Sequence, residues 1–182
     1  MSLLDVDDES NEKLYKSVED IFEREKRNKE SWAKFQAEVI MPRVKKLKQR
    51  KPIRNFAVGV YMPEGFPYGL GQSLDSLCDA EKVVFYHLDC RGVTSLNRAM
   101  GYLSTISRSP YSLILLDHFD KIPDSPDKKY IENILIHIWE RDFMMHRNNF
   151  FVLFSTSKDY GEQTPDLLKK IKSLDWYGSI YK

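Results

Sequence analysis

The sequence predicts one three-layer α/β domain with a five-stranded, mostly parallel sheet. Four short runs rich in Val, Leu, Ile, Phe and Tyr lack strict alternation, which is typical of parallel strands buried on both faces. They span residues 56–62, 83–88, 113–116 and 150–154, and a fifth strand is predicted at 176–181. Stretches with helical periodicity separate the runs, so right-handed crossovers are expected between neighbouring strands.

Apolar residues at helical spacing place the helices of this domain. They are predicted around residues 73–80, 95–107, 129–146 and 165–173. A further helix over residues 32–48 is expected to pack on the core, with Pro42 late in it as the position of a kink. Residues 1–31 are strongly charged and predict a partly helical leader, so the chain divides into this leader and an α/β core over residues 32–182.

Composition excludes several classes of protein. The 28 basic and 27 acidic residues give a net charge of +1, which argues against chain-wide attraction to nucleic acid or to an anionic membrane. No apolar run approaches the roughly 20 residues of a bilayer-spanning helix, and the N-terminus lacks the layout of a secretory signal, so an intracellular protein, cytoplasmic or nuclear, is expected. Two cysteines, Cys78 and Cys90, are too few for a disulfide scaffold, and with His87 and His118 they lack the paired spacing of zinc ligands.

The segment between the first strand and the next helix has the layout of a phosphate-binding loop. Ligands bind beyond the carboxyl ends of parallel strands, and the free N–H groups at the start of a helix attract phosphate. Aligned with G-x-x-x-x-G-K-[ST], the chain has Phe66 at the first glycine and Gln72 at the lysine, while Ser73 keeps the hydroxyl that would hold Mg²⁺. The candidate nucleotide contacts here are Pro67, Gly69, Gly71, Gln72 and Ser73, and the two glycines keep the loop permissive for unusual backbone angles. The alternative is a plain glycine-rich turn that binds no nucleotide.

The third strand ends in a second candidate motif. Four apolar residues precede Asp117, as in a Walker B element whose aspartate holds Mg²⁺ and whose next acidic residue activates water. His118 stands at that next position, where a neutral imidazole can act as a base, although a lone histidine more often has no catalytic role. Ser157, which follows the fourth strand, completes the candidate nucleotide site, and Ser73 and Asp117 are its candidate Mg²⁺ ligands.

In order along the chain, these elements resemble the classical AAA branch of the AAA+ ATPases. The resemblance covers about residues 38–181 and implies the P-loop NTPase-like fold of the AAA+ large subdomain, with ATP or ADP and Mg²⁺ as ligands and other AAA+ domains as partners. The matching segments are the helix before the first strand at 38–42, the loop at 66–73, the approach to Walker B at 109–120, and the sensor-1 stretch with its downstream D-P-A-L-L-R-like run at 156–169.

The departures from the family fall at its catalytic positions. Gln72 replaces the loop lysine, His118 the Walker B glutamate and Ser157 the sensor asparagine. No arginine follows Arg147, and the region of the family's arginine fingers holds Lys169, Lys170, Lys172, Asp175 and Trp176. The segment 89–95, where the family carries an aromatic threading loop, has no aromatic residue. The sequence stops at the fifth strand, before the position of the family's helical lid, so either the lid is absent or the sequence is a piece of a longer chain. No catalytic residue is therefore assigned, and nucleotide is expected only if the altered loop still binds it.

The favoured hypothesis is an inactive AAA+-like domain that serves as a structural or regulatory protein-interaction module, possibly one AAA unit of a tandem or ring assembly. Its partners are other protein subunits, and the leader and the basic segment at residues 43–54 are the expected contact surfaces. One alternative is an unorthodox ATPase that takes its missing cation from Lys158 or from a partner chain. Another is a clamp-loader-like or initiator-like domain that binds nucleic acid through the basic segment, although a solvated helix end is the plainer interpretation. Its candidate residues are Lys45, Lys46, Lys48 and Arg50.

Overall fold

Five parallel strands form one sheet in the computed structural model, which describes residues 8–62, 69–138, 149–158, 169 and 174–180. The strands are β1 (Ala57–Tyr61), β2 (Val84–Asp89), β3 (Ser112–Asp117), β4 (Phe150–Thr156) and β5 (Leu174–Ser179). Their order across the sheet is β2-β3-β4-β1-β5. The predicted α/β class and the five parallel strands are confirmed, with strand ends that differ by one or two residues from the predicted ones.

Burial follows the position of each strand in the sheet. β3, β4 and β1 lie inside the sheet, and nearly all their side chains are buried, as expected where both faces are covered. β2 forms one edge and is only half-buried, so polar side chains on it can reach solvent. This edge position lets a histidine occupy β2 beside the buried strand β3.

The described helices cover the sheet and extend from it. They are α1 (Asp8–Phe35), α2 (Met41–Lys48), α3 (Leu70–Glu81), α4 (Leu96–Ser107) and α5 (Lys128–Asn133), with π-helical segments at Gln36–Ile40 and Ile134–Ile138 and 3₁₀ turns at Cys90–Gly92 and Phe119–Lys121. α3 begins three residues before its predicted start. The predicted helix at 129–146 is described only as far as residue 138, and of the one at 165–173 only residue 169 is described.

α1 runs unbroken across residue 31, so the predicted leader and the start of the predicted packing helix are one helix. This part of the chain packs on the sheet, because Phe35, Ile40 and Val44 are buried and the Phe35 ring lies 4.8 Å from that of Tyr177. The helix widens into the π-helical segment just before Pro42, whose ring nitrogen has no hydrogen to donate to a carbonyl one turn back. None of the helices in the described part of the chain has the length and apolar content needed to cross a bilayer.

Candidate functional site

The candidate site lies at the carboxyl edge of the sheet, where the ends of neighbouring strands meet. Because β4 lies between β1 and β3, its last residues stand between the end of the Walker B-like strand and the strand that leads to the loop. Val60 of β1 is in register with Ser155 of β4, and Asp89 of β2 with Asp117 of β3. Parallel pairing therefore brings Asp117 together with polar residues from both strands that flank β3.

Both carboxylate oxygens of Asp117 accept hydrogen bonds from side chains of the protein. The Ser155 hydroxyl donates to Oδ1 at 2.5 Å, and Nε2 of His87 lies 3.1 Å from Oδ2. Because an ionised carboxylate can only accept, Nε2 of His87 carries the hydrogen in this contact. The Asp117 side chain is 14% exposed, so His87 and Ser155 replace hydrogen bonds that water would otherwise donate to the carboxylate.

The environment of Asp117 favours its charged form. Burial on its own would raise the pKa of Asp117, but hydrogen bonds from His87 and Ser155, together with the neighbouring His118 and His87 imidazoles, outweigh it. The pKa of Asp117 therefore lies below the ordinary carboxyl value, and the group is an anion at neutral pH that the surrounding protein already stabilises.

His118 turns the chain sharply at the end of β3. Its φ of 52° is left-handed, which is uncommon for a residue with a side chain and permits the tight turn into Phe119–Lys121. The backbone N–H of His118 donates to the Ser155 hydroxyl at 2.9 Å, and its Nε2 lies 3.7 Å from Oδ1 of Asp117. The histidine at the Walker B glutamate position thus contacts the neighbouring aspartate.

A second acidic residue of the Walker B-like segment is bound by the sensor-like serine. Ser157 donates to Asp120 twice, from its backbone N–H to Oδ1 at 2.9 Å and from its hydroxyl to Oδ2 at 2.6 Å. These bonds connect the turn after β3 to the end of β4. The Ser157 hydroxyl is therefore used inside the protein.

Gly71, in the first turn of α3, is the residue against which His87 packs. A Cβ atom at Gly71 would lie 2.5 Å from Cε1 and 2.8 Å from Nδ1 of the His87 ring, so the ring occupies the space of a side chain. Neither glycine uses the left-handed angles that glycine permits, because Gly69 is extended with a φ of −64° and Gly71 is helical. The close approach of the His87 imidazole explains why the residue at position 71 has no side chain. Pro67 lies outside the described residues.

We expect Gly71→Ala to push the His87 ring outward, because that side chain is 38% exposed and free to swing into solvent. Both Gly71→Ala and Gly101→Ala gain helix propensity, so the effect of the contact is the difference between them. Gly71→Ala should be about 1 kcal/mol less stable than Gly101→Ala, the usual contribution of one hydrogen bond. His87→Ala should cost a similar amount, and the double variant should cost no more than either single change. Denaturant unfolding measures all three. Gly101→Ala is the control, since no heavy atom lies within 4 Å of a Cβ there, and additive losses at positions 71 and 87 would contradict the contact.

The described residues at this edge differ from those of a magnesium-nucleotide site. α3 begins at Leu70 without a side-chain cap, Ser73 donates its backbone N–H to the Gly69 carbonyl at 3.2 Å, and Gln72 supplies no positive charge for a phosphate. Each oxygen of the Asp117 carboxylate, the candidate Mg²⁺ ligand, already accepts one hydrogen bond, from His87 or from Ser155. A cation at this carboxylate would therefore compete with the His87 imidazole for Oδ2.

The basic segment is partly used by the fold. Lys48 places its Nζ 3.3 Å from a Glu81 carboxylate oxygen, and the guanidinium of Arg50 lies 5.6 Å above the Tyr111 ring. Lys45 and Lys46, the other two candidate contacts to nucleic acid, are exposed on α2.

Arg43, at the start of the basic segment, is a structural residue. Its guanidinium donates to the carbonyls of Asn55 at 2.8 Å and Val39 at 2.7 Å, and it lies 5.2 Å from the centre of the Phe151 ring. Burial lowers its pKa, and the nearby Asp175 carboxylate partly offsets that effect. The segment therefore offers fewer free cations than its sequence indicates.

The sequence interpretation missed His87 and Ser155 as partners of Asp117. The available signal was the alternation of side chains along a strand. Asp117 is in register with Asp89, and side chains two residues apart on a strand lie on the same face of the sheet. His87 therefore lies on the same face of the sheet as Asp117. A polar residue within the apolar run of β2 indicated a specific contact of this kind.

No protein-family model matches this chain, and no curated protein matches it either. The resemblance to the AAA+ ATPases therefore stays a prediction.

Proposed function

We propose that this chain is a catalytically inactive AAA+-like domain with the P-loop NTPase-like fold of the AAA+ large subdomain, and that it serves as a structural or regulatory protein-interaction module. One observation carries the proposal. Asp117, the residue that would hold Mg²⁺, has both oxygens engaged, by Ser155 on one side and by His87 on the other. Its partners would be other protein subunits, in a tandem or ring assembly.

The strand order supports the fold part of this proposal. With β4 between β1 and β3, the segment after β1, Asp117 and Ser157 all lie at adjacent strand ends. This is the arrangement that the resemblance requires if the three are to derive from one phosphate site. In a parallel sheet such a crevice is where a ligand would bind.

The contacts of the altered residues support inactivity. The positions of the base and of the sensor are held by His118 and Ser157, which contact the carboxylates of Asp117 and Asp120. Loss of one preorganised group that stabilises charge typically costs about 3 to 4 kcal/mol of transition-state stabilisation. A turnover rate near background is expected.

The loop after β2 supports the loss of substrate threading. Asp89 accepts a hydrogen bond from the Arg91 guanidinium at 2.7 Å, and Arg98 donates to the Gly92 carbonyl at 2.8 Å. These bonds hold the short turn against the end of β2 and the start of α4. The hydrogen bond from Arg91 keeps the pKa of Asp89 below its usual value. A charged turn held in this way offers no apolar surface to bind an unfolded chain.

Calorimetry with Mg·ATP and with ADP tests the proposal. We expect no binding heat and no shift in melting temperature, whereas a ligand present at 100 times its Kd would stabilise the protein by about 2.7 kcal/mol. A stabilisation that disappears in Ser73→Ala or Asp117→Ala would contradict the proposal. Turnover abolished by Asp117→Ala would favour the unorthodox ATPase with a cation from Lys158 or from a partner chain.

A further inference from the structure

The amino edge of the sheet, opposite the edge that carries Asp117, is rich in cations. The described connections that lead into β1, β2 and β3 at this edge span residues 48–56, 79–83 and 108–111. They hold six basic and two acidic residues. The described connections at the carboxyl edge hold three basic and five acidic residues and span 89–95, 117–127 and 157–158. Because all the strands are parallel, the two edges of the sheet carry charge of opposite sign.

Two contacts hold the connections of the amino edge together as one surface. Nζ of Lys48 lies 3.3 Å from a carboxylate oxygen of Glu81, which joins the end of α2 to the turn before β2. The Arg50 guanidinium lies 5.6 Å from the centre of the Tyr111 ring, which joins the same end of α2 to the turn before β3. Cations from separate parts of the sequence are therefore brought to one surface. We call them the amino-edge cluster, and they are Arg50, Lys51, Arg54, Lys82 and Arg108.

The side chains of the amino-edge cluster are open to solvent, since all five are exposed. Of the two carboxylates in these described connections, Glu81 is paired with Lys48, and Asp79 is exposed. β3 and β4 separate β2 from β1, so the cluster extends along the edge for three strand spacings, or about 14 Å. It is therefore a row of positive charges and not a pocket for a single anion.

Two of these cations stand where glycine is the usual residue. Arg50 and Lys82 follow α2 and α3 with φ values of 54° and 57°, the left-handed region that a side chain disfavours. The lysines in the last turn of α2 already supply the favourable interaction of a cation with the end of a helix. Glycine would suit the backbone better at both positions, so a use of the two charges is the better explanation for them.

The chemistry of this surface fits the phosphates of a nucleic acid. Exposed lysine and arginine side chains neutralise phosphates and release their counterions. In these described connections the large apolar side chains are buried or half-buried, and they are Ile53, Phe56, Val83 and Tyr111. The surface therefore lacks the exposed apolar groups that enter a membrane or fill the centre of a protein interface.

Arg50 adds a flat group to the row of charges. One face of its guanidinium lies over the Tyr111 ring, and the side chain is otherwise exposed. A guanidinium plane held in this way can stack on a nucleobase. Only a base that is not paired within a duplex presents its face for such a contact, so the arrangement favours a single strand.

We propose that the amino-edge cluster binds single-stranded nucleic acid, with phosphates on its lysines and arginines and one unpaired base stacked on Arg50. The surface extends beyond the basic segment at residues 43–54, because Lys82 and Arg108 come from other connections. It lies at the opposite edge of the sheet from Asp117 and does not rest on the proposed function. Nucleotide binding in the calorimeter would overturn the inactive site and leave this surface intact.

Fluorescence anisotropy of a labelled oligothymidylate of about 12 nucleotides tests the binding. The logarithm of the affinity should fall with the logarithm of the salt concentration with a slope of about −2 to −3.5, as for three to five phosphates of a single strand. Polyglutamate of equal charge should compete at least tenfold less well, because it has neither phosphates nor bases. A chain that leaves the oligonucleotide unbound at low salt overturns the proposal, as does one from which polyglutamate displaces it equally well.

Charge reversal locates the binding surface. Arg54→Glu with Lys82→Glu should weaken binding at least tenfold. Lys13→Glu with Lys16→Glu is the matched control, because it makes the same change in net charge on an exposed part of α1. Denaturant unfolding checks that both variants are folded. Equal losses in the two variants would assign the binding to net charge and overturn the cluster, and so would unchanged binding in the first.

Variants of Arg50 separate its charge from its flat shape. Arg50→Gly removes the cation and relieves the left-handed backbone, so affinity should fall about tenfold while the free energy of unfolding changes little. An abasic strand keeps the phosphates without the bases, and it should bind the wild-type chain about tenfold more weakly than oligothymidylate. Arg50→Lys keeps the charge and should bind the two strands alike. A wild-type chain that binds both strands equally overturns the stacking, and an Arg50→Gly chain that binds like wild type overturns the role of Arg50.

Discussion

Replacing Phe154 by alanine is expected to lower the free energy of unfolding by about 3 to 5 kcal/mol, the usual cost of removing a buried aromatic ring. Phe154 is 1% exposed near the carboxyl end of β4, and its ring meets that of Phe119 edge-on at 5.4 Å. Phe119 lies in the turn between His118 and Asp120. Loss of the ring therefore leaves a cavity and also removes the apolar contact that anchors this turn.

Denaturant unfolding measures the effect, with Tyr130→Ala as the control. Tyr130 is an aromatic residue of similar size on α5 that is 64% exposed, so its removal should change stability by less than about 0.5 kcal/mol. Hydrogen exchange adds a local readout, since the amide of Ser157, which donates to Asp120, should exchange faster in Phe154→Ala. A loss below 1 kcal/mol, or unchanged protection at Ser157, would show that the turn is anchored in another way.

Asp117→Asn is expected to cost about 2 kcal/mol at neutral pH, because hydrogen bonds from His87 and Ser155 to a carboxylate are replaced by weaker bonds to a neutral amide. Ser155 can donate to the amide oxygen, and the His87 ring must change tautomer so that Nε2 accepts from the amide N–H₂. Ser155 is 1% exposed, so it depends on this partner rather than on bulk water. Asp79→Asn, at an exposed position of α3, is the matched control and should have little effect.

The stabilisation by Asp117 depends on pH with a definite sign. Its folded pKa is lower than the ordinary value of 3.8, so the unfolded chain takes up this proton first as the pH falls. The contribution is full above the unfolded pKa and decreases as the pH falls toward and through the folded pKa. The stability difference between wild type and Asp117→Asn should therefore narrow below about pH 4. A difference that stays constant from pH 7 to pH 3 would contradict this assignment.

The pattern of apolar residues along the chain was sufficient to predict the strands of the sheet. The strands β3 and β4 are continuous apolar runs because both of their faces are covered, and that burial is visible directly in their composition. The end of β3 was also predictable, since Asp117 is the first charged residue after its run. Helix starts were less clear, and α3 begins before Ser73 because Leu70 is buried and can begin its apolar face.

Long-range partners at the site were harder to predict. The contact of His87 with Gly71 joins the edge strand to the first turn of α3, and no local pattern encodes how closely a helix approaches a strand. The role of Arg43 was hidden for a similar reason, because a cation in a basic run gives no sign that its guanidinium will meet the carbonyls of Val39 and Asn55. The length of α1 was also not predicted, because its many charged residues indicate a solvated, partly helical leader.

The hydrogen bonds from His87 and Ser155 to Asp117 have a consequence for any assembly that contains this domain. Under the proposed function, a domain whose sheet edge is completed by its own side chains would keep one shape whatever the ratio of ATP to ADP. Hydrolysing neighbours would move around it while it stayed unchanged through their cycle. In a ring or tandem such a domain would act as a fixed reference frame, and the direction of movement would be set by the subunits on either side of it.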